Sequence, residues 1–241
     1  MAAIQRRVSE IDKRMMERAL RAAVLGRPSP NPHVGAVLAR NGEIISVGHH
    51  ARCGGAHAEV AVIERAGRRA RGATLYVTFE PCNHYGHTGP CSEAIIEAGI
   101  RRVVIGCRDP APHKPGSTRK LRAAGIEVGM GVLEERAQKL VADFAKCRLQ
   151  GVPYVTLKAA VSLDGRTASR TRESKWITGE LARRKAHQMR ASSDAVLVGV
   201  GTVLADNPQL TVRGVRGPDP IRVVLDTHLR TPPRSRIVRH D

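Results

Sequence analysis

The sequence predicts an α/β sandwich. Three observations predict it: an amphipathic first helix, a tight hairpin at Asn41-Gly42, and short β-branched runs that then alternate with helical segments. The helix follows Ser9, a good N-cap with an acidic partner at Asp12. Ile11, Met15, Met16, Ala19, Leu20 and Ala23 recur at helical spacing, and Gly26 and Pro28 end the run. VGAVLA (34–39) and EIISVG (43–48) flank Asn41-Gly42, the dipeptide that favours a two-residue hairpin. A helix is expected over about 56–66, a strand over 73–79, a helix over 91–98 and a strand over 101–107. A helix over 120–124, a strand over 126–131 and one longer helix over 133–149 complete the first half. Gly151-Val152-Pro153 ends that helix and marks a domain boundary, giving domains 1–150 and 151–241. A second α/β pattern follows: strand PYVTLKAAV, a polar loop, helix 179–190, strand DAVLVGV and strand IRVVLD.

A chain of 241 residues is long enough for one large domain or two modest ones. No run of about 20 apolar residues exists, so a membrane-spanning helix is not expected. The N-terminus, MAAIQRRVSEIDKR, has no apolar run and no small-residue cleavage site, and Glu10 and Asp12 argue against a transit peptide. A cytoplasmic location is expected. The five cysteines then suit metal ligands or plain thiols better than a disulfide framework. Forty Lys and Arg against 22 Asp and Glu leave a net charge of +18. That excess suits nucleic acid, phosphorylated ligands or merely a solvated arginine surface. Only six residues are aromatic, too few for a surface that stacks bases.

The sharpest feature is His57-Ala58-Glu59, followed by Pro81-Cys82 and Cys91. One His and two Cys can give three ligands to a tetrahedral zinc and leave a fourth position open to water, the pattern of a catalytic site. Zinc lowers the pKa of such a water. Glu59, two residues from the ligand, is placed to shuttle a proton without binding the metal. This follows the H-x-E…P-C-x-x-C logic of zinc nucleobase deaminases, with eight residues between the cysteines instead of two. Cys53, Cys107 and Cys147 have no partners at ligand spacing.

Around these residues the chain resembles a known family. PNPHVGAV (30–37), GGAHAEV (54–60), TLYVTFEPCNHYGHTGPC (74–91) and RDPAP (108–112) resemble the deaminase half of the bifunctional riboflavin biosynthesis deaminase–reductases. VTLKAAVSLDGRTA (155–168), SKWITG (174–179), RASSDAVLVGVGTVLADNPQLTVR (190–213) and RVVLD (222–226) resemble the start of the reductase half. The resemblance implies a cytidine-deaminase-like three-layer sandwich followed by part of a dihydrofolate-reductase-like α/β domain. It implies zinc-dependent deamination of a phosphoribosylamino-pyrimidine and reduction of the ribosyl to a ribityl group by NADPH. His57, Cys82 and Cys91 would then hold zinc, and Glu59 would be the general acid/base. Asn31 would face the pyrimidine edge, with His50 and His84 beside the zinc and the ribose phosphate. Ala160, Thr167, Trp176, Thr202 and Asp206 match NADPH-contacting positions. Ser174, Arg190, Leu210 and Arg213 match positions that hold the phosphorylated sugar. From the residues alone, Asn31 before a proline could instead start a turn, His49 and His50 could be loop histidines, and Trp176 could anchor a core.

Three departures stand out. His87 and Gly89 occupy loop positions where the family usually has Lys or Arg and Pro. HKPGSTR (113–119) replaces a glycine-rich run, and Arg172 replaces a common Gly. The family's reductase half also extends roughly a hundred residues further, so the reductase is expected to be partial, inactive or completed by another chain. The expected partner is a small phosphorylated pyrimidine, with no membrane and no nucleic acid, and a homo-oligomer is left open. Two other readings compete: a zinc deaminase acting on nucleic-acid bases, and a non-catalytic zinc-stabilised binding module.

Overall fold

The computed structural model describes residues 9–86, 89–110, 116–171 and 173–239. These form two compact units that divide between Val155 and Thr156.

Unit 1 begins with helix α1 (Glu10–Ala23). Ser9 and Asp12 form a reciprocal capping box, each side chain accepting from the other's backbone N–H. The hairpin follows as β1 (Gly35–Arg40) and β2 (Glu43–His49). Asn41 and Gly42 turn it, with φ of 51° and 84°. Helix α2 (Ala58–Ala66) and a 3-10 turn (Gly67–Ala70) lead to β3 (Thr74–Phe79). Two crossovers then build α3 (Cys91–Glu97), β4 (Arg102–Cys107), α4 (Ser117–Ala123) and β5 (Glu127–Met130). Helices α5 (Glu134–Leu140) and α6 (Ala142–Gln150) end the unit.

The five strands make one sheet in the order β2-β1-β3-β4-β5. β1 runs antiparallel to both neighbours, whereas β3, β4 and β5 are parallel, each joined to the next through a helix. Two glycines let helices approach opposite faces. A Cβ at Gly35 would run into the Ala19 carbonyl of α1, and one at Gly48 would meet Val62 of α2. Gly48 pairs with Ala36, the residue after Gly35, so the two contacts lie on opposite faces. α1 and α5 pack together on one side and α2 and α3 on the other, which gives three layers.

A buried ionic cluster ties α1 to the sheet. Asp12 is 2% exposed, and its Oδ1 accepts from Tyr76 Oη at 3.1 Å and from Arg102 at 2.7 Å. Burial alone would raise the Asp12 pKa, but hydrogen bonds from Arg102 and Ser9 outweigh it and hold the carboxyl below its usual value.

Unit 2 contains α7 (Glu180–Ala191), β6 (Ala195–Gly199), α8 (Val200–Asp206) and β7 (Ile221–Leu225). β6 and β7 form a two-stranded parallel sheet. Val203, Leu210 and Ile237 make a small core, with Val196, Val198 and Val224 against it. Alternate strand residues Leu197, Ile221 and Leu225 are exposed. Among the described residues, no helix is long and apolar enough to cross a membrane.

Two expected elements differ, and one helix was not expected. The single helix over 133–149 is two helices, because Val141 turns into the core with φ of −111° and interrupts the hydrogen-bond ladder. Helix-forming residues on both sides hid that break. PYVTLKAAV forms no strand: Val155 and Leu157 are exposed, and no described strand pairs with it. Gly199-Val200-Gly201 is the N-cap and first turn of α8, a helix the sequence pattern did not suggest.

Candidate active site

His57, Cys82 and Cys91 arrive from three places and converge. His57 is the N-cap of α2, Cys82 lies in the loop after β3, and Cys91 is the first residue of α3. Their donor atoms all lie within 4.8 Å of one another. His57 Nδ1 is 3.1 Å from Cys91 Sγ and 3.5 Å from Cys82 Sγ. A tetrahedron with ordinary zinc bond lengths needs about 3.5 Å between N and S and about 3.8 Å between sulfurs, so the donor set fits zinc in chemistry and in size. The backbone fixes this geometry: the Cys91 N–H donates to Cys82 Sγ, and the Ser92 N–H donates to the Cys82 carbonyl.

The two thiols share their environment unequally. A hydrogen bond from Cys91 and the nearby His57 push Cys82 down to about 4. The same hydrogen bond, with burial and Glu59, pushes Cys91 up. Bonding to Cys82 raises the His57 pKa against burial. Such mutual dependence is expected of sites that bind one cation together.

Glu59, in the first turn of α2, is 3% exposed, and burial pushes its carboxyl up to about 7. It lines the same cavity as His57 and Cys82, about 230 Å³ in volume. Asn31, His50 and His84 line it too. His50 is almost fully buried, and burial lowers its pKa. Its Nδ1 faces the Ala56 carbonyl at 3.0 Å. A carbonyl only accepts, so Nδ1 carries the proton and Nε2 accepts from Asn31 Nδ2 at 3.1 Å. The His50 ring also stands edge-on to His57, with centroids 5.1 Å apart.

All seven residues singled out in the first half therefore meet at one cavity or one donor cluster. Sequence reasoning missed Phe79, Glu80, Asp109, Phe144 and Arg148, which also line it. Phe144 and Arg148 sit on α6, whose position no short motif encodes. Of the spare thiols, Cys53 and Cys147 are exposed, whereas Cys107 is buried and donates to the Thr78 carbonyl. His87 and Arg172 lie outside the described residues.

In unit 2 the predicted residues are less gathered. Arg190 donates to the Thr211 carbonyl at 2.7 Å, and Arg213 donates to Thr211 Oγ1 at 2.9 Å, which brings two guanidiniums beside one residue. Leu210 packs into the small core. Trp176 is 74% exposed, with the Arg183 guanidinium 4.3 Å from its ring centre. Thr202 and Asp206 lie exposed on α8, Thr167 is exposed, and Ala160 and Ser174 are half-buried.

A three-layer α/β/α unit with a His/Cys/Cys donor set, an open side and a buried glutamate defines the zinc-dependent deaminase class. The family model for the cytidine and deoxycytidylate deaminase zinc-binding region matches residues 9–107, and that for the RibD C-terminal domain matches residues 153–241. The riboflavin biosynthesis protein RibD of Aquifex aeolicus is 48% identical over 235 residues, covering 96% of this chain and 66% of that protein. RibD of Bacillus amyloliquefaciens is 50% identical over 218 residues, covering 88% of this chain and 58% of its own length. Among solved structures, Acinetobacter baumannii RibD superposes with a TM-score of 0.87 at 44% identity, covering 95% of this chain and 67% of that one. The Thermotoga maritima diaminohydroxyphosphoribosylaminopyrimidine deaminase/5-amino-6-(5-phosphoribosylamino)uracil reductase gives 0.85 at 50% identity, covering 90% and 63%. This chain belongs to the RibD family. It spans less than two thirds of the length of the two curated relatives.

Proposed function

We propose that this chain hydrolytically deaminates 2,5-diamino-6-(5-phosphoribosylamino)pyrimidin-4-one, a step of riboflavin biosynthesis, in the cytoplasm. The observation that carries this reading is the buried Glu59 carboxyl sharing one cavity with the His57, Cys82 and Cys91 donors. His57, Cys82 and Cys91 would hold zinc, which when bound supplies Lewis-acid activation of a water. Glu59 would carry one proton of that water to the ring nitrogen and the second to the departing amine, so N=C–NH₂ plus H₂O becomes HN–C=O plus NH₃. Asn31, one N–H already donated to His50, offers its remaining N–H and its carbonyl to the pyrimidine edge. His50, neutral and fixed by Ala56, holds that amide and the peptide leading to His57 in place. His84 flanks the open side.

Residues 1–150 carry this activity, and residues 151–241 correspond to the first part of an NADPH-dependent reductase. There Ala160, Thr167, Trp176, Thr202 and Asp206 would contact the cofactor, and Ser174, Arg190, Leu210 and Arg213 the sugar phosphate. The match of residues 153–241 to the RibD C-terminal domain supports this assignment.

The experiment is ammonia release by the zinc-loaded full chain, with metal content measured in parallel. Glu59→Gln is expected to keep zinc and lose turnover. Unaltered turnover in that variant would remove Glu59 from the chemistry.

A further inference from the structure

The end of the unit 1 sheet remote from the metal donors is rich in arginine. α2 starts at His57 and β3 runs from Thr74 towards Cys82, so the turn joining α2 to β3 lies at that other end. The turn is Gly-Arg-Arg-Ala-Arg-Gly, residues 67–72, with Arg68, Arg69 and Arg71 exposed. Gly67 and Gly72 flank it at φ of 54° and 74°. A Cβ at either glycine would meet nothing within 4 Å, so the turn stands clear of the protein on both flanks.

The turn is also held in place. Arg40, the last residue of β1, donates to the Arg69 and Arg71 carbonyls. The Gly72 N–H donates to the Gly99 carbonyl at 2.7 Å, and the Arg101 N–H donates to the Ala73 carbonyl at 3.0 Å. The Arg71 side chain lies over Gly99, where an added Cβ would stand 3.3 Å from its Cγ. Arg40 and Arg101 are exposed beside the turn, so five arginines share one surface. Glu43, Glu64 and Glu97 lie on the adjoining elements, yet none of the five arginines forms an ion pair among the described residues. Like charges gathered this way oppose the compact state, and a polyanion relieves them.

The surface also shows which polyanion it suits. Residues 38–43, 64–72 and 97–101 include no aromatic, and their large apolar residues Leu38 and Ile100 are buried. Single-strand binding draws on rings that stack with bases, and a peptide partner draws on aromatic or apolar anchors. The phosphates of a duplex need neither, because guanidiniums contact them without reading the bases.

We propose that Arg40, Arg68, Arg69, Arg71 and Arg101 form a docking surface for the phosphate backbone of a nucleic-acid duplex. Binding is independent of sequence and of the deaminase cavity.

The test is fluorescence anisotropy of the zinc-loaded full chain with labelled RNA and DNA duplexes of roughly 20 base pairs, over a series of salt concentrations. Wild type is expected to bind with Kd of about 1–100 μM at physiological salt. Arg68→Ala/Arg69→Ala/Arg71→Ala is expected to weaken binding about tenfold or more and to flatten the slope of log K against log salt by roughly 2 to 3. Arg216→Ala/Arg234→Ala/Arg236→Ala, exposed in unit 2 and matched in charge change, is expected to alter neither. Ammonia release and melting temperature should stay unchanged in the turn variant, so duplex binding and deamination are read separately. Dependence on the turn for one duplex and not the other names RNA or DNA as the ligand. No duplex binding by the wild type overturns the proposal, as does equal binding by the turn variant. So does equal weakening by the unit 2 variant, or tighter binding of a single strand or an oligoglutamate of matching charge.

Discussion

Asn31 Nδ2 lies 3.1 Å from His50 Nε2, and His50 Nδ1 lies 3.0 Å from the carbonyl of the residue before His57. One neutral imidazole thus joins a cavity-lining amide to the peptide that leads to His57. Asn31→Ala is expected to lower kcat/KM for deamination about 10–100-fold while zinc content stays whole, because the reacting ring loses orientation, not activation. Parallel metal analysis and steady-state kinetics check this; an unchanged kcat/KM would make the pair purely architectural.

Removing the Asp12 charge tests the cluster that ties α1 to the sheet. Asp12→Asn should cost roughly 2 kcal/mol, since charge-assisted bonds from Arg102 and Tyr76 are weakened while Arg102 stays partly buried. The acid dependence has a definite sign. The folded pKa of Asp12 lies below the ordinary 3.8, so its stabilisation is full above the unfolded value and is lost as pH falls through the folded one. The melting-temperature gap between wild type and Asp12→Asn should therefore be widest near neutrality and close below about pH 4. A gap independent of pH would contradict this.

Thiol labelling separates ligands from spares. In the zinc-loaded protein, Cys53 and Cys147 should react first, because both are exposed. After chelation, half-buried Cys82 should follow, with Cys91 and Cys107 slow behind their burial. Peptide mapping of the alkylated sites reads the order. Chelation should also lower the melting temperature, because a ligand bound only by the folded state stabilises it.

Limited proteolysis should cut first between about residues 152 and 175. That stretch has no described strand or helix and carries exposed Val155, Leu157 and Leu163. Unit 2 has only a small core and a two-stranded sheet, so it should be digested while unit 1 persists. Mass spectrometry of the surviving fragment decides; equal resistance of both units would contradict it.

Much of unit 1 was legible because its signals are local. Ser9 with Asp12, Asn41-Gly42 and the alternating runs each specify structure within a few residues, and the structure shows the corresponding cap, hairpin and strands. The donors His57, Cys82 and Cys91 were legible for another reason, since few residue types bind metal and their spacing is informative. What escaped depends on tertiary context. Val141 breaks a continuous helical pattern by turning into the core, and the β-branched residues at 153–161 have no strand to pair with among the described residues. Arg108, Arg119 and Arg148 were invisible among 32 arginines, because only the folded chain shows which of them face a cavity.

His57 and Cys91 are 34 positions apart, and the strand that carries the chain between them lies inside the sheet. Closing that separation costs loop entropy, which the folded sheet has already met. Pairing of β1 with β3 holds the end of the hairpin that leads to His57 beside the strand that leads to Cys82 and Cys91. Affinity for zinc is therefore a readout of sheet assembly, and a variant that loosens the β1–β3 pairing should bind the metal more weakly.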